Sequence, residues 1–268
     1  MNKLLWIILF FLLLLIGKRR GVKTFFSFLL SMILIILYII LMAFGFNAII
    51  LALIICILAS LISVFLLNGY NKKTKAAFIG IIIVLFMVFI LTYIIGKKAN
   101  IGGFGDESLE TIGIFSFDIN YNMNNVIIGM YLVCVIGTII DTSISISSAM
   151  NEVLENNPKI KEKELFRSGM NIGRDILSTT INTLYFALIS TFIGFFMWHK
   201  AMTLEYLINY KIFVQNIIQL LITFIGSIII IPTTSFVSSI ILIDKDNNYM
   251  KNITKKLKNR ITKKTKIS

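Results

Sequence analysis

One histidine, two cysteines and two prolines among 268 residues leave little room for several kinds of chemistry. With His199 as the single imidazole, no ligand set for transition-metal catalysis exists, and no cofactor is expected. Cys56 and Cys134 each sit inside an apolar run, where a lone thiol reads as a small buried hydrophobe and not as half of a disulfide. No Ser/His/Asp or paired-carboxylate arrangement stands at catalytic spacing within an apolar segment, so the expectation is that the chain is not an enzyme. Acidic residues are scarce too: 13 Asp and Glu against 26 Lys and Arg give a formal charge of +13. The basic residues are spread between apolar segments, not gathered on a folded face with aromatic stacking platforms, which argues against a nucleic-acid partner.

What the chain has in abundance is hydrocarbon. Its apolar share of 57% and mean hydropathy of +0.88 exceed the roughly 45–50% of soluble domains, so most of it lies in lipid. The fold class is therefore an all-α, polytopic membrane helical bundle with the bilayer as its first partner. A span needs about 17–25 apolar residues, and residues 25–44, 48–67, 76–96, 126–145 and 179–198 meet that. Residues 4–16 make a shorter span. Within 212–243, Gln215, Asn216 and Gln219 interrupt the first half, which reads as an interfacial helix before a last span at 220–243, kinked at Pro232. That makes seven spans, a transmembrane domain over 1–243 and a basic cytoplasmic tail over 244–268, flexible or lying on anionic headgroups.

Charge sets the orientation. With the amino terminus outside, only Lys3, Lys97, Lys98, Lys200 and Lys211 of the 26 basic residues fall on the outer side, and the loop after Lys98 also carries Asp106, Glu107, Glu110 and Asp118. The positive-inside rule supports that arrangement. Lys18, Arg19 and Arg20 follow the first apolar run where a cleavable signal peptide would carry small residues, so that segment is expected to stay.

Asp141 is the residue that most needs a reason. An ionised carboxylate within a span costs at least about 2.5 kcal/mol to insert. Gly137, Asp141, Ser145, Ser148 and Glu152 recur at helical spacing and share a face. The next span opens with Asn171, Arg174, Asp175, Ser178, Thr179 and Asn182, of which Asp175, Thr179 and Asn182 share another. Two adjacent helices then bring polar groups together near the inner surface, with Arg174 in reach of Asp141. Either this is a buried ion pair fixing helix register, or it is a proton, ion or substrate path. Between the two helices, Asn156-Asn157-Pro158 breaks the chain, and 161–170 is expected to form a short amphipathic helix with Leu165 and Phe166 on the membrane or a partner. A permease-type coupling helix would sit in such a loop, but its glutamate, small-residue pair and glycine spacing is not reproduced after Glu164.

These segments carry a resemblance. Leu67-Asn68-Gly69-Tyr70-Asn71-Lys72-Lys73-Thr74, Gly137 to Asp141 with Ser145 and Glu152, and Glu164-Leu165-Phe166-Arg167-Ser168-Gly169-Met170-Asn171-Ile172-Gly173-Arg174-Asp175 are similar to the YibE/F family of bacterial multipass membrane proteins, over about 48–243. Without the larger outer amino-terminal region of YibE-type members, the chain is most similar to the YibF type. The resemblance implies a bacterial plasma-membrane protein working with a paired YibE-like subunit, and brings no established activity. It marks Asn68, Gly69, Gly137, Gly169 and Gly173 as motif or helix-packing positions. A second likeness is to the fourth and fifth helices of SecD/SecF and RND transporters, where a glycine precedes an aspartate by four residues and the carboxylate belongs to a proton relay. Here a short outer loop stands in place of their large extracytoplasmic domain, so pump work would need a partner chain. The expected function is a subunit of a transport or export complex coupling protons or ions at Asp141. The alternative is a structural, assembly or regulatory membrane subunit.

Overall fold

The computed structural model describes residues 2–98, 122–198 and 209–264, and every element among them is a helix. The acidic outer loop and His199 with Lys200 lie outside the described residues. In chain order the helices are α1 (Asn2–Ala43), α2 (Ala48–Leu61), which runs into a π-helical turn at Ile62–Leu66, α3 (Lys72–Lys98), α4 (Met123–Asn156), α5 (Glu162–Trp198) and α6 (Lys211–Lys264). The long arm of α1, α2 with its π turn, and α3 to α6 are all apolar and long enough to cross a membrane, which gives six helices of spanning length.

The expected seventh segment is present but short. α1 doubles back at Lys18, whose φ of 45° is strained for a residue with a side chain, so that Leu4–Lys18 lies against the long arm Arg20–Ala43. Trp6 meets Phe28 at 5.8 Å and Phe10 meets Phe25 at 4.8 Å between ring centroids, as antiparallel arms require. A side chain at Gly21 would overlap the Leu13 carbonyl, so glycine is what lets the arms close. At about 1.5 Å per residue the short arm does not reach across a hydrocarbon core of about 30 Å.

Three further expectations are corrected. The polar residues of the first half of α6 do not make a separate interfacial helix. α6 is one continuous helix with Pro232 inside it, and its first part packs on α4: Gln219 Nε2 donates to Cys134 Sγ at 2.9 Å, and the Tyr131 hydroxyl donates to the backbone carbonyl of Gln215 at 3.3 Å. Lipid offers no partner for a side-chain amide, so polar groups in a membrane seek a neighbouring helix. Cys134, read as an inert hydrophobe, is thus an acceptor, whereas Cys56 is buried as expected. The expected helix at 161–170 is the first part of α5, which leaves only a short link after Asn156; Leu165 is fully buried against the bundle instead of facing lipid or a partner. Beyond Asp244 the chain continues as helix to Lys264.

In lipid there is no hydrophobic drive to press one apolar helix on another, so close approach and hydrogen bonds hold the bundle. α3, α4 and α6 form its centre around Ile81, Val84, Ile139, Ile146 and Ile230. Gly80 lets α6 come so near that an added Cβ would lie 2.8 Å from Thr234 Oγ1 and 3.3 Å from its Cα. At the same level the Ser143 hydroxyl lies 3.0 Å from the Ala77 carbonyl and 2.9 Å from the Thr234 hydroxyl, and Ser147 reaches the Lys73 carbonyl at 2.6 Å.

The motif around Asn68 and Gly69 builds the turn between α2 and α3. Gly69 takes φ 71°, which only glycine adopts at no cost, and Asn71 Nδ2 donates to the Asn68 carbonyl at 3.1 Å. Thr74 Oγ1 accepts from the Asn71 amide at 2.8 Å and caps the start of α3. Tyr70 stacks on Phe65 and takes Lys75 Nζ over its ring at 4.4 Å.

Candidate functional site

The face of α4 that packs into the core is Ile139, Ser143, Ile146, Ser147 and Met150, so the stripe at Gly137 and Asp141 turns outward from it, toward α5. There it lines an open groove of about 380 Å³, closed on the other side by Ile176, Thr179, Thr180, Thr183 and Leu184 of α5. Gly137 is bare, with nothing within 4 Å of where a Cβ would stand. Gly169 and Gly173 do pack: a Cβ on the first would meet Met150 and Ser235, and one on the second would meet Ile231 and Ile146.

Asp141 is exposed in this groove and has no hydrogen bond or ion pair among the described residues. The expected contact with Arg174 is not formed: Arg174 is exposed, lies outside the groove lining and is likewise unpaired. The register explains this, because α5 docks through Leu165, Gly169 and Gly173, and this rolls Asn171, Arg174, Asp175 and Asn182 away from α4. Ser145 and Ser148 are half-buried and Glu152 is exposed further along α4, none of them in the groove. Of the polar positions anticipated on the two helices, the structure brings together Gly137, Asp141 and Thr179.

The chemistry of the lining has a definite sign. Thr179 and Thr180 donate their hydroxyl protons to the Ile176 carbonyl at 2.8 and 2.9 Å, and Thr183 donates to Thr179 at 2.9 Å. With those protons held by the helix backbone, the oxygens present lone pairs. A carboxylate ringed by acceptors suits a proton, a donor-rich cation or water, and repels anions. Thr180 and Thr183 escaped the sequence reading because threonine is an ordinary resident of an apolar helix; their spacing from Ile176 was the available signal.

A second groove of about 180 Å³ follows toward the start of α4 and shares Leu184 with the first. Cys134, Thr191, Asn216, Gln219 and Thr223 line it, so two of the three side chains that seemed to interrupt α6, Asn216 and Gln219, continue a polar-dotted crevice along α4, α5 and α6. Cys134 Sγ lies 3.9 Å from the Thr223 hydroxyl there.

No curated protein and no solved structure matches the chain. The family model for YibE/F-like proteins matches residues 5–244, which takes in all six helices of spanning length and both grooves. The chain belongs to the YibE/F-like protein family.

Proposed function

We propose that this multipass membrane protein is a subunit of a transport or export complex of the bacterial plasma membrane, and that Asp141 takes up and releases a proton or a small cation in the groove between α4 and α5. The observation that carries the reading is the unpaired Asp141 carboxylate within a membrane-length helix, facing three threonine oxygens whose own protons are already committed. A charge that costly to insert, yet left without a salt bridge, suits a group that changes its protonation during work better than one that fixes packing. No covalent catalysis is involved in this reading. A paired YibE-like membrane chain would supply the substrate-handling part.

The reading is tested by carbodiimide labelling, which modifies protonated carboxyl groups in low-dielectric sites. In native membranes Asp141 is expected to react, with the signal lost in Asp141→Asn. In proteoliposomes holding the chain with its co-purified membrane partner, Asp141→Asn should abolish proton or cation flux without lowering abundance. Equal flux in wild type and variant would sink the coupling role. A variant that fails to accumulate would favour the second reading, a structural or assembly subunit, for which the observation is that Ser143, Thr234 and Ser147 already spend this level of the bundle on static hydrogen bonds.

A further inference from the structure

The two grooves meet at one side chain. Leu184 lines both, and each helix presents a single face to the pair. On α4 that face is Cys134, Gly137, Thr138 and Asp141, at the i, i+3, i+4 and i+7 spacing of one helix side. Thr180, Thr183, Leu184, Ala187 and Thr191 follow the same spacing on α5, and Asn216, Gln219 and Thr223 do so on α6. All of them fall within helices of spanning length. From Cys134 to Asp141 the crevice runs about 10 Å along α4, at about 1.5 Å per residue.

The second groove repeats the chemistry of the first. Thr191 donates its hydroxyl proton to the Ala187 carbonyl at 2.9 Å, and Thr223 donates to the Gln219 carbonyl at 2.8 Å. One amide proton of Asn216 goes to the Ile212 carbonyl at 2.8 Å, and one of Gln219 goes to Cys134 Sγ at 2.9 Å. The hydroxyl and side-chain carbonyl oxygens keep lone pairs to offer. Among the described residues no lysine or arginine lines either groove, so the charge along the pair is that of Asp141. An apolar cavity stays dry, but one with several polar partners and about 180 Å³, against about 30 Å³ for a water in the liquid, takes water. Acyl chains would leave the same oxygens without partners.

We propose that the second groove is the water-filled route by which a proton or monovalent cation reaches Asp141 from the end of the bundle where α4 starts, with Leu184 as the narrow point between route and site. The route rests on Asp141 being the coupling group. Acceptors along its walls and a carboxylate at its end draw cations in and turn anions back. A lone carboxylate, with no second acidic side chain in either lining, suits a single positive charge. Leu184, apolar and half-buried, interrupts the polar lining where the grooves join, and a hydrophobic constriction of that kind controls passage by excluding water.

Cys134 supplies the probe. With the full chain in native membranes opened to both faces, a small cationic methanethiosulfonate is expected to modify Cys134 about tenfold faster than an anionic one of similar size. Cys56, fully buried, should react with neither. In a Cys134→Ser chain, Thr191→Cys should show the same preference, and Ile36→Cys, exposed on α1 away from both grooves, should stay unmodified. Asp141→Asn should remove most of the preference. In proteoliposomes with the co-purified partner, the cationic adduct on Cys134 should stop flux, whereas Cys134→Ser should not respond to the reagent. Leu184→Trp should cut flux about tenfold with Cys134 labelling unchanged. Sites silent to both charged reagents yet open to a neutral, lipid-soluble maleimide would mean a lipid-filled crevice and overturn the proposal. So would equal rates with the two reagents, a preference indifferent to Asp141→Asn, Ile36→Cys reacting as fast as Thr191→Cys, or flux untouched by both the adduct and Leu184→Trp. Charge-selective labelling without flux in any form would sink coupling at Asp141 and still support the groove as a cation-selective aqueous route.

Discussion

Two glycines one helix apart predict opposite outcomes. Gly80 is pressed against the backbone of Thr234, so Gly80→Ala must push α3 and α6 apart and disturb the Ser143–Thr234 hydrogen bond. Overpacking of this kind costs about 1–3 kcal/mol, and the melting temperature in detergent should fall accordingly. Gly137 has open space over it, and alanine is the better helix former by about 0.8–1 kcal/mol, so Gly137→Ala should leave melting unchanged or raise it. If the glycine is bare in order to keep the groove open beside Asp141, the same variant should slow carbodiimide labelling of that carboxylate while the fold is intact. A fall in melting temperature with Gly137→Ala would instead mean that another chain packs there in the membrane.

At the scale of the element, the start of α5 is the part whose role changed most. Leu165 was expected to meet lipid or a partner, and it is a core residue at 0% exposure. Leu165→Ala should therefore cost about 2–5 kcal/mol, a core truncation read by thermal melting of the purified chain. The neighbouring Arg167→Ala, on an exposed position of the same turn, should stay within about 0.5 kcal/mol. Equal effects of the two would show that this turn is not docked. In α6, Gln219→Leu removes the donor to Cys134; interhelical hydrogen bonds in membranes average about 0.6 kcal/mol, so the loss should be small. A loss of several kcal/mol would give Gln219 a larger structural part than one hydrogen bond allows.

For the whole molecule the testable quantity is sidedness. The six helices of spanning length place the Lys18–Lys23 region and the basic end of α6 on the same side of the membrane, since their number is even. The positive-inside rule makes that side the cytoplasm. With Cys56 and Cys134 removed, cysteines at Asn71 and Asn157 should resist an impermeant thiol reagent in intact cells, and one at Gly105 should react. Reaction at Asn157 without reaction at Gly105 would invert the protein.

By itself the sequence determined the environment, the helical class and the approximate spans, because each follows from local composition: runs of apolar residues long enough for a bilayer, with lysines and arginines between them. It also singled out Asp141 as a residue needing a reason, since an ionised carboxylate within a span is expensive to insert whatever its neighbours. Which face of each helix meets which neighbour is not local. The docking of Gly169 and Gly173 on α4 and α6 set the roll of α5, and that roll separated Arg174 from Asp141, put Thr180 and Thr183 opposite the carboxylate, and left Asn171, Asp175 and Asn182 exposed. Likewise Gln219 resembles part of an interfacial pattern until α4 is placed beside it with Cys134 as its partner. Only the tertiary structure could decide these points, because in lipid the roll of a helix is set by where small residues allow close contact and where polar groups find partners, and both depend on residues distant in the chain.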